Sequence, residues 1–351
     1  MAIGRLFYKF MILGSINRSE KWHLDALPVR LFLVTRLKYL LMENRKIVVV
    51  GSSNMDMVVK TDHIPVPGET VLSGSFFMNP GGKGANQAVA VARLGGEVLF
   101  ISKMGNDVFG KQFSQLFSDE GIDTRYILSD EDLPSGVALI TVDKAGENSI
   151  VVASGANANL QSSDMEAAVA QIAGAGILLV QLEIPMTTVN YVVKFASAKG
   201  VRVILNPAPA NSLSAEVLRC IYILTPNKTE ASMISGLEVT DLESAKRAAQ
   251  QICLMGAQNV VVTMGPLGAV ICKNGECSTV KAREVETVDT TAAGDVFNGA
   301  LAVAVSEGKE LEEAVDFACE AAAISVTRLG AQSSIPYRTE LIAQKLAAVN
   351  L

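Results

Sequence analysis

The chain contains 351 residues, of which 49% are hydrophobic and 19% are charged, so it can bury a substantial core as one large domain or two moderate ones. Its formal net charge of −6 gives no electrostatic footprint for nucleic acid, which is bound largely through clustered Lys and Arg. The two histidines and five cysteines, without a CxxC pair, argue against histidine-dependent triads, structural zinc and a complete set of disulfides. We therefore expect small-molecule partners and a reducing, cytoplasmic location.

Residues 1–44 differ from the rest of the chain because they carry a clear excess of Lys and Arg over Asp and Glu. Charges interrupt every apolar stretch, so the segment fits neither a signal peptide nor a transmembrane helix, which needs about 20 mostly apolar residues. An amphipathic surface helix over residues 27–42 is the alternative. We expect an N-terminal extension outside the fold, with Met42 as the natural start and residues 45–351 as the folded domain.

From residue 46 onward, short apolar runs rich in β-branched residues alternate with stretches of helical period. The runs cover residues 47–50, 98–102, 177–182, 201–206, 221–225 and 260–263, and the helical stretches include residues 86–94 and 242–255. Strands buried on both faces have this continuous apolar character. The alternation predicts an α/β fold with a doubly wound, mostly parallel sheet flanked by helices.

Two segments, residues 57–77 and 136–154, break this rhythm. In both, polar and β-branched residues alternate around turns such as Pro67-Gly68. We interpret them as antiparallel strands that pair into a small sheet over one edge of the main domain, where they would act as a lid. Two unrelated surface hairpins are the alternative.

A turn of small residues, Asp289-Thr290-Thr291-Ala292-Ala293-Gly294-Asp295, leads into an apolar, helix-compatible stretch. Ala292, Ala293 and Gly294 have almost no side chain, so an anion such as phosphate could approach their backbone N–H groups at the helix N-terminus. Asp295 follows directly as a candidate catalytic base. The alternative is that Asp295 only caps the helix.

A second glycine-rich segment, Gly81-Gly82-Lys83-Gly84, lies far upstream. It is not a Walker A loop, because Lys83 is followed by glycine rather than Ser or Thr. Its glycines instead let a ligand come close to the backbone, and the polar side chains of Lys83, Asn86 and Gln87 lie at the entry to a helix. A tight loop with a solvated lysine is the alternative.

Polar side chains also follow several predicted strands, at the edge where open α/β sheets bind ligands. Asn54, Asp56 and Glu183 could hold sugar hydroxyls. The alternatives are that Asn54 and Asp56 are ordinary turn residues after a strand, and that Glu183 is a polar residue at the edge of the core. Asn227 and Glu230 suit water-mediated contacts to Mg²⁺ and phosphate, since Mg²⁺ keeps several waters, with helix capping as the competing role.

The glycine-rich segment and the Asp289–Asp295 turn together resemble the two signatures of the ribokinase-type (PfkB) carbohydrate kinases, in the same order. Residues 206–210, 225–230 and 327–332 add to a likeness that extends over about residues 46–346. The resemblance implies transfer of the γ-phosphate of ATP to O5 of D-ribose, with Asp295 as general base. A kinase of this family for deoxyribose, fructose or adenosine, and a non-catalytic sugar- or nucleotide-binding regulator, are the alternatives.

The same resemblance assigns further roles by position, together with Mg²⁺, an activating K⁺ and a homodimer formed through the lid. The residues that it implies for the pentose are Asn54, Asp56, Gly82, Lys83, Asn86, Glu183 and Asp295. Those implied for ATP are Asn227, Thr263, Gly265, Gly268, Gly294 and Cys319. Those implied for K⁺, mostly through backbone carbonyls, are Asp289, Thr291, Ser325, Arg328, Gly330 and Ser334. Cys319 departs from the polar residue that such kinases can carry beside the adenine.

Overall fold

The structure is a computed structural model that describes residues 45–349 except residue 73. The predicted extension, residues 1–44, lies outside the described residues. No helix in the described part of the chain combines the length and the apolar character needed to cross a membrane.

The described residues form thirteen strands and ten α-helices in two sheets with flanking helices. In chain order the strands are β1 (Ile47–Val50), β2 (Asn54–Lys60), β3 (Ser75–Gly81), β4 (Val98–Gly105), β5 (Asp123–Asp130), β6 (Gly136–Val142), β7 (Asn148–Ala153), β8 (Ile177–Val180), β9 (Arg202–Leu205), β10 (Ile223–Leu224), β11 (Asn259–Thr263), β12 (Ala269–Lys273) and β13 (Glu276–Val280). The helices are α1 (Lys83–Arg93), α2 (Val108–Asp119), α3 (Val169–Ala173), α4 (Met186–Ala198), α5 (Ala215–Leu218), α6 (Lys228–Ser235), α7 (Leu242–Met255), α8 (Ala293–Ser306), α9 (Leu311–Ser325) and α10 (Arg338–Val349).

The main sheet has nine strands in the order β13-β12-β11-β10-β9-β8-β1-β4-β5. All neighbours from β11 to β5 are parallel, and β12 and β13 add antiparallel strands at one edge. In β1, Ile47 and Val49 belong to a core on one face of the sheet that also includes residues of α1, α8 and α9. Val48 and Val50 belong to a second core, on the opposite face, that includes residues of α4 and α7. The predicted doubly wound, mostly parallel sheet is confirmed.

The sequence interpretation missed the strands at both edges of this sheet, β5, β12 and β13. Strands β12 and β13 are joined by Asn274-Gly275, and both residues have positive φ, 54° and 83°. A two-residue hairpin needs this backbone to match the twist of its strands, and Asn-Gly is its strongest sequence signal. The sequence therefore contains a local signal for this hairpin.

The predicted small sheet is also present, in the order β3-β2-β6-β7. Its outer pairs are antiparallel as predicted, but the central pair, β2 with β6, is parallel. The chain between them passes through β3, the main-sheet strands β4 and β5 and two helices, and such a long crossover permits parallel pairing. Strand β2 begins earlier than predicted, so Asn54 and Asp56 belong to a lid strand rather than to a turn after β1.

Candidate active site

Asp295 lies in the first turn of α8 and is only 6% exposed. Asn86 Nδ2 donates to its Oδ2 at 3.0 Å, and Gln87 Nε2 donates to its Oδ1 at 3.0 Å. Among the described residues no backbone N–H donates to the carboxylate, so two side-chain amides, rather than a capping contact, hold it. Each oxygen keeps a lone pair with which it can accept a proton.

The turn before Asp295 has an unusual backbone. Ala292, the N-cap of α8, has a φ of 60°, which is costly for a residue with a Cβ. The N–H of Ala293 donates to the Thr290 carbonyl at 3.2 Å, whereas those of Ala292 and Gly294 have no acceptor in the described part of the chain. A Cβ placed on Gly294 would meet nothing within 4 Å. The turn therefore has two N–H donors without an acceptor among the described residues, at Ala292 and Gly294, and open space beside Gly294.

Lys83, Asp56, Glu183 and Asp295 form one electrostatic cluster. Burial, followed by the negative charges of Glu183 and Asp295, raises the pKa of Asp56 to about 7, while Lys83 acts in the opposite direction. The Asp295 carboxylate is the largest cause that raises the pKa of Lys83. Glu183 Oε2 accepts hydrogen bonds from the Lys83 backbone N–H at 3.0 Å and from the Ser52 hydroxyl at 2.6 Å.

Backbone geometry brings Asn54 and Gly82 to the same place. Gly82 has a φ of 88°, and a Cβ there would lie 2.6 Å from the Asn54 nitrogen, so this close approach requires glycine. Asn157 donates to Asn54 Oδ1 at 2.8 Å and also bonds the backbone of Ser53 in both directions. The predicted pentose residues therefore meet at one place. Sequence reasoning missed Asn157 and Ser52, which support them.

A cavity of about 420 Å³ lies beside the first turn of α8. It is lined by five of the residues predicted to contact ATP, namely Thr263, Gly265, Gly268, Gly294 and Cys319. Part of its remaining wall is apolar, and includes Pro266, Val285, Phe297, Ala322 and Val326. Because Gly294 precedes Asp295, one end of the cavity adjoins the candidate base.

Asn227, also predicted to contact ATP, does not line this cavity. It pairs with Thr263 through a parallel bridge and forms a reciprocal capping box with Glu230, in which each backbone N–H donates to the other side chain at 2.9 Å. The capping role left open by the sequence is therefore real. Burial raises the pKa of Glu230, whereas the Asn227 N–H and then the positive charge of Lys83 act in the opposite direction. The Glu230 oxygens keep lone pairs for a Mg²⁺-bound water, so they fit the predicted ion.

The loops predicted to bind K⁺ lie side by side. Asp289 Oδ1 accepts hydrogen bonds from the Thr291 N–H at 2.9 Å and hydroxyl at 2.6 Å, and its Oδ2 accepts one from the Gly330 N–H at 2.9 Å. Burial alone would raise the pKa of Asp289, but these hydrogen bonds outweigh it and lower the pKa. The Arg328 guanidinium is a cation without an acceptor atom and pairs with Glu340, so only the backbone carbonyl of Arg328 could act as a ligand.

The hydroxyls of Ser325 and Ser334 donate to nearby carbonyls, of Ala322 and Ala331. This arrangement fits a site made largely of backbone carbonyls, as the resemblance implies. It leaves the K⁺ ligands a prediction, since carbonyl oxygens offer no sequence signature.

Sequence reasoning also missed a set of buried polar residues behind Asp295, namely Gln181, Asn206, Thr225 and Asn298. Gln181, Asn206 and Thr225 are each the first residue after a strand, β8, β9 and β10. A polar side chain directly after an apolar run, repeated on three neighbouring strands, was the available signal.

Comparisons with known proteins identify the family of this chain. The sequence model of the pfkB family of carbohydrate kinases matches residues 44–338. A ribokinase from Haemophilus influenzae is 46% identical over 298 residues, which cover 85% of this chain and 97% of the relative. A ribokinase structure from Thermotoga maritima has 42% identity and a TM-score of 0.77, covering 85% of this chain and 98% of its own.

An Arabidopsis thaliana ribokinase, solved in complex with ribose and ATP, has 34% identity and a TM-score of 0.80, with the same coverage of 85% and 98%. The family match extends over most of the chain and includes both glycine-rich segments and Asp295. The chain belongs to the pfkB family of carbohydrate kinases.

Proposed function

We propose that the protein transfers the γ-phosphate of ATP to O5 of D-ribose, giving D-ribose 5-phosphate and ADP. The observation that carries the proposal is the place of Asp295. Its buried carboxylate adjoins the polar cluster of Asp56, Lys83 and Glu183, and Gly294 beside it lines the nucleotide cavity. Relatives named ribokinases, including one whose structure contains ribose and ATP, support ribose as the acceptor.

In this reaction Asp295 accepts the proton of the 5-hydroxyl as the sugar oxygen forms a bond to the γ-phosphorus. The bond from that phosphorus to the β–γ bridging oxygen breaks, and ADP leaves. Phosphoryl transfer depends mainly on positioning and charge stabilisation, so the free N–H groups of Ala292 and Gly294 would stabilise charge on the transferred group. Glu230 would hold a water of a bound Mg²⁺, and the ion would supply further charge neutralisation on the phosphates.

The small sheet would act as a lid over this site. Its inner face carries Asp56 and lines an open cleft of about 1020 Å³ opposite residues 287–291, 329–331 and 333. Closure would reduce this space and exclude water, which limits transfer of the phosphoryl group to water.

An ADP-release assay with ribose, deoxyribose, fructose and adenosine tests the proposed function. We expect ribose to give the highest kcat/KM. A higher value for another acceptor would reassign the substrate within the family. Binding of sugar and ATP without ADP release would instead support the alternative of a non-catalytic regulator that binds sugar or nucleotide.

We propose that K⁺ activates the enzyme through the Asp289 and Gly330 loops. Carbonyl-lined sites suit the weakly hydrated K⁺ better than Na⁺. The kcat/KM for ribose should be higher in KCl than in NaCl at equal ionic strength, and Asp289→Asn, which weakens the contact between the loops, should reduce the difference. Equal rates of the wild-type enzyme in the two salts would contradict the cation site.

We also propose a homodimer that buries the outer face of the lid. The strand register puts Phe76, Met78, Leu139 and Val151 on the face opposite Asp56, and they are 60%, 47%, 53% and 63% exposed. Soluble monomers rarely expose a contiguous apolar face of this kind, and a second copy with the same face can cover it by two-fold symmetry.

Leu139→Lys should therefore shift the protein from dimer to monomer, because it places a charge at the centre of this face. Light scattering coupled to size-exclusion chromatography measures the change. Leu254→Lys, on a solvent-exposed position of α7, is the matched control and should leave the mass unchanged. A monomeric wild-type protein at micromolar concentration would rule out the dimer.

We also propose a cytoplasmic location, which is consistent with the five free thiols.

A further inference from the structure

The donor and acceptor atoms of the Gln87 side-chain amide all take part in hydrogen bonds. Its Nε2 donates both to Asp295 Oδ1 at 3.0 Å and to Asn206 Oδ1 at 3.2 Å, and its Oε1 accepts from Gln181 Nε2 at 2.6 Å. Gln87 and Gln181 have no exposed surface. The reversed amide would place Oε1 against two oxygens, so these contacts permit a single orientation.

The contacts continue into a closed ring. Asn206 Nδ2 donates to the Thr225 carbonyl at 3.2 Å, and the Thr225 hydroxyl donates to Asn298 Oδ1 at 2.7 Å. Asn298 Nδ2 donates to the Gly294 carbonyl at 2.8 Å, one residue before Asp295. The ring therefore holds both the carboxylate and the helical turn that carries it, and every side chain in it is buried.

Buried polar groups are normally hydrogen-bonded, so the need of each group for a partner would by itself account for these contacts. That account does not explain why polar residues occupy the ends of three neighbouring core strands, where apolar residues would pack without needing partners. The common endpoint of the contacts is the first turn of α8. A small displacement of a reacting group can cost about 10²-fold in rate, so an anchor at this point has a direct catalytic value.

We infer that Gln87 is a positioning residue for the base: its amide, held by Gln181 and Asn206, fixes the Asp295 carboxylate in the orientation that accepts the sugar proton. The inference rests on the proposed role of Asp295. Gln87 acts through Asp295 and does not itself contact the reacting atoms. Asn86 holds the other carboxylate oxygen from the neighbouring position of α1, so the two amides together stop the carboxylate from rotating.

Gln87→Met tests the inference, because it keeps the length of the side chain and removes both donors. We expect kcat to fall about 10- to 100-fold, as is typical when the partner that orients a reactive group is lost, while the KM for ribose changes less than about threefold. Asn259→Leu is the control. It removes another buried amide, which donates to the Tyr222 carbonyl at 2.9 Å at the opposite end of the strands, and should leave kcat unchanged.

A double-mutant cycle separates positioning from a merely structural role. In an Asp295→Asn background there is no base to position, so Gln87→Met should lower kcat little further. An equal fold-loss in both backgrounds would overturn the inference, as would a folded Gln87→Met enzyme with kcat within twofold of wild type. Full activity of Asp295→Asn alone would instead overturn the proposed function, and the inference with it.

If Gln87→Met does not fold, Gln181→Met carries the same test. It leaves Gln87 and Asp295 intact but removes the donor that fixes the Gln87 amide, so kcat should fall several-fold at unchanged KM. Wild-type kcat in that variant would overturn the claim that the network orients the amide.

Discussion

Asp295→Asn should lower kcat by about 10²- to 10⁴-fold while the protein stays folded and continues to bind ribose. The substituted amide cannot accept the 5-hydroxyl proton, but it fits the same space. Its oxygen can still accept from Gln87. Asn86 can turn its own amide, because Asn86 Oδ1 has no partner among the described residues, and can then accept from the new NH₂ group.

The measurements are steady-state kinetics with ribose and ATP, calorimetric binding of ribose, and thermal unfolding. Asp119→Asn, which removes a surface carboxylate at the end of α2, is the control for the change in net charge. Turnover close to that of wild type in Asp295→Asn would remove the base from the mechanism. A large loss of stability would point instead to a structural role of the carboxylate.

Asp56→Asn should have two opposite effects: a more stable protein at pH 8 and a weaker sugar complex. The pKa of Asp56 is raised from 3.8 to about 7, first by burial and then by Glu183 and Asp295. Between these two values the folded state holds a proton that the unfolded state has lost. Stability therefore falls as pH rises through this window, and the deficit is complete above the folded pKa.

Asparagine does not ionise, so the variant does not lose this stability as pH rises. Its free energy of unfolding should therefore exceed that of wild type by more at pH 8 than at pH 5. We expect the gap to widen by roughly 1–3 kcal/mol, as measured by urea unfolding. The KM for ribose should rise about 10- to 100-fold, because a charge-assisted hydrogen bond to a hydroxyl is lost.

A gap in stability that does not change between pH 5 and pH 8 would contradict the raised pKa. An unchanged KM would remove Asp56 from the sugar site. If the variant is more stable at pH 8 and also has a higher KM for ribose, Asp56 contributes to binding at the expense of stability. Such a trade-off is common where like charges lie close together in a site.

The glycines and the carboxylate of the candidate active site could be predicted because local sequence patterns indicate them. Gly82 is needed where φ is positive and the backbone of Asn54 approaches closely, and Asp295 follows a turn of small residues at a helix start. Buried strands such as β1 appear as continuous apolar runs for an equally local reason. These features depend on a few neighbouring residues.

What surrounds Asp295 could not be predicted in this way. The amides that hold it, Asn86 and Gln87, lie 209 and 208 positions away in the chain, and the network continues through the ends of β8, β9 and β10. The sequence suggested helix capping as the alternative for Asp295 and for Glu230. The structure rejects it for Asp295 and retains it for Glu230, because only the position of partner groups distinguishes the two.

The sequence by itself determined the class of fold, the family and the identity of the candidate base, since periodicity and short motifs carry that information. Only the tertiary structure decided that the lid has a parallel central pair, that Asp56 belongs to the lid and has a pKa of about 7, and that two amides hold Asp295. The physical reason is that strand pairing, burial and electrostatic coupling arise between segments far apart in the chain, and local patterns do not encode which of these segments meet.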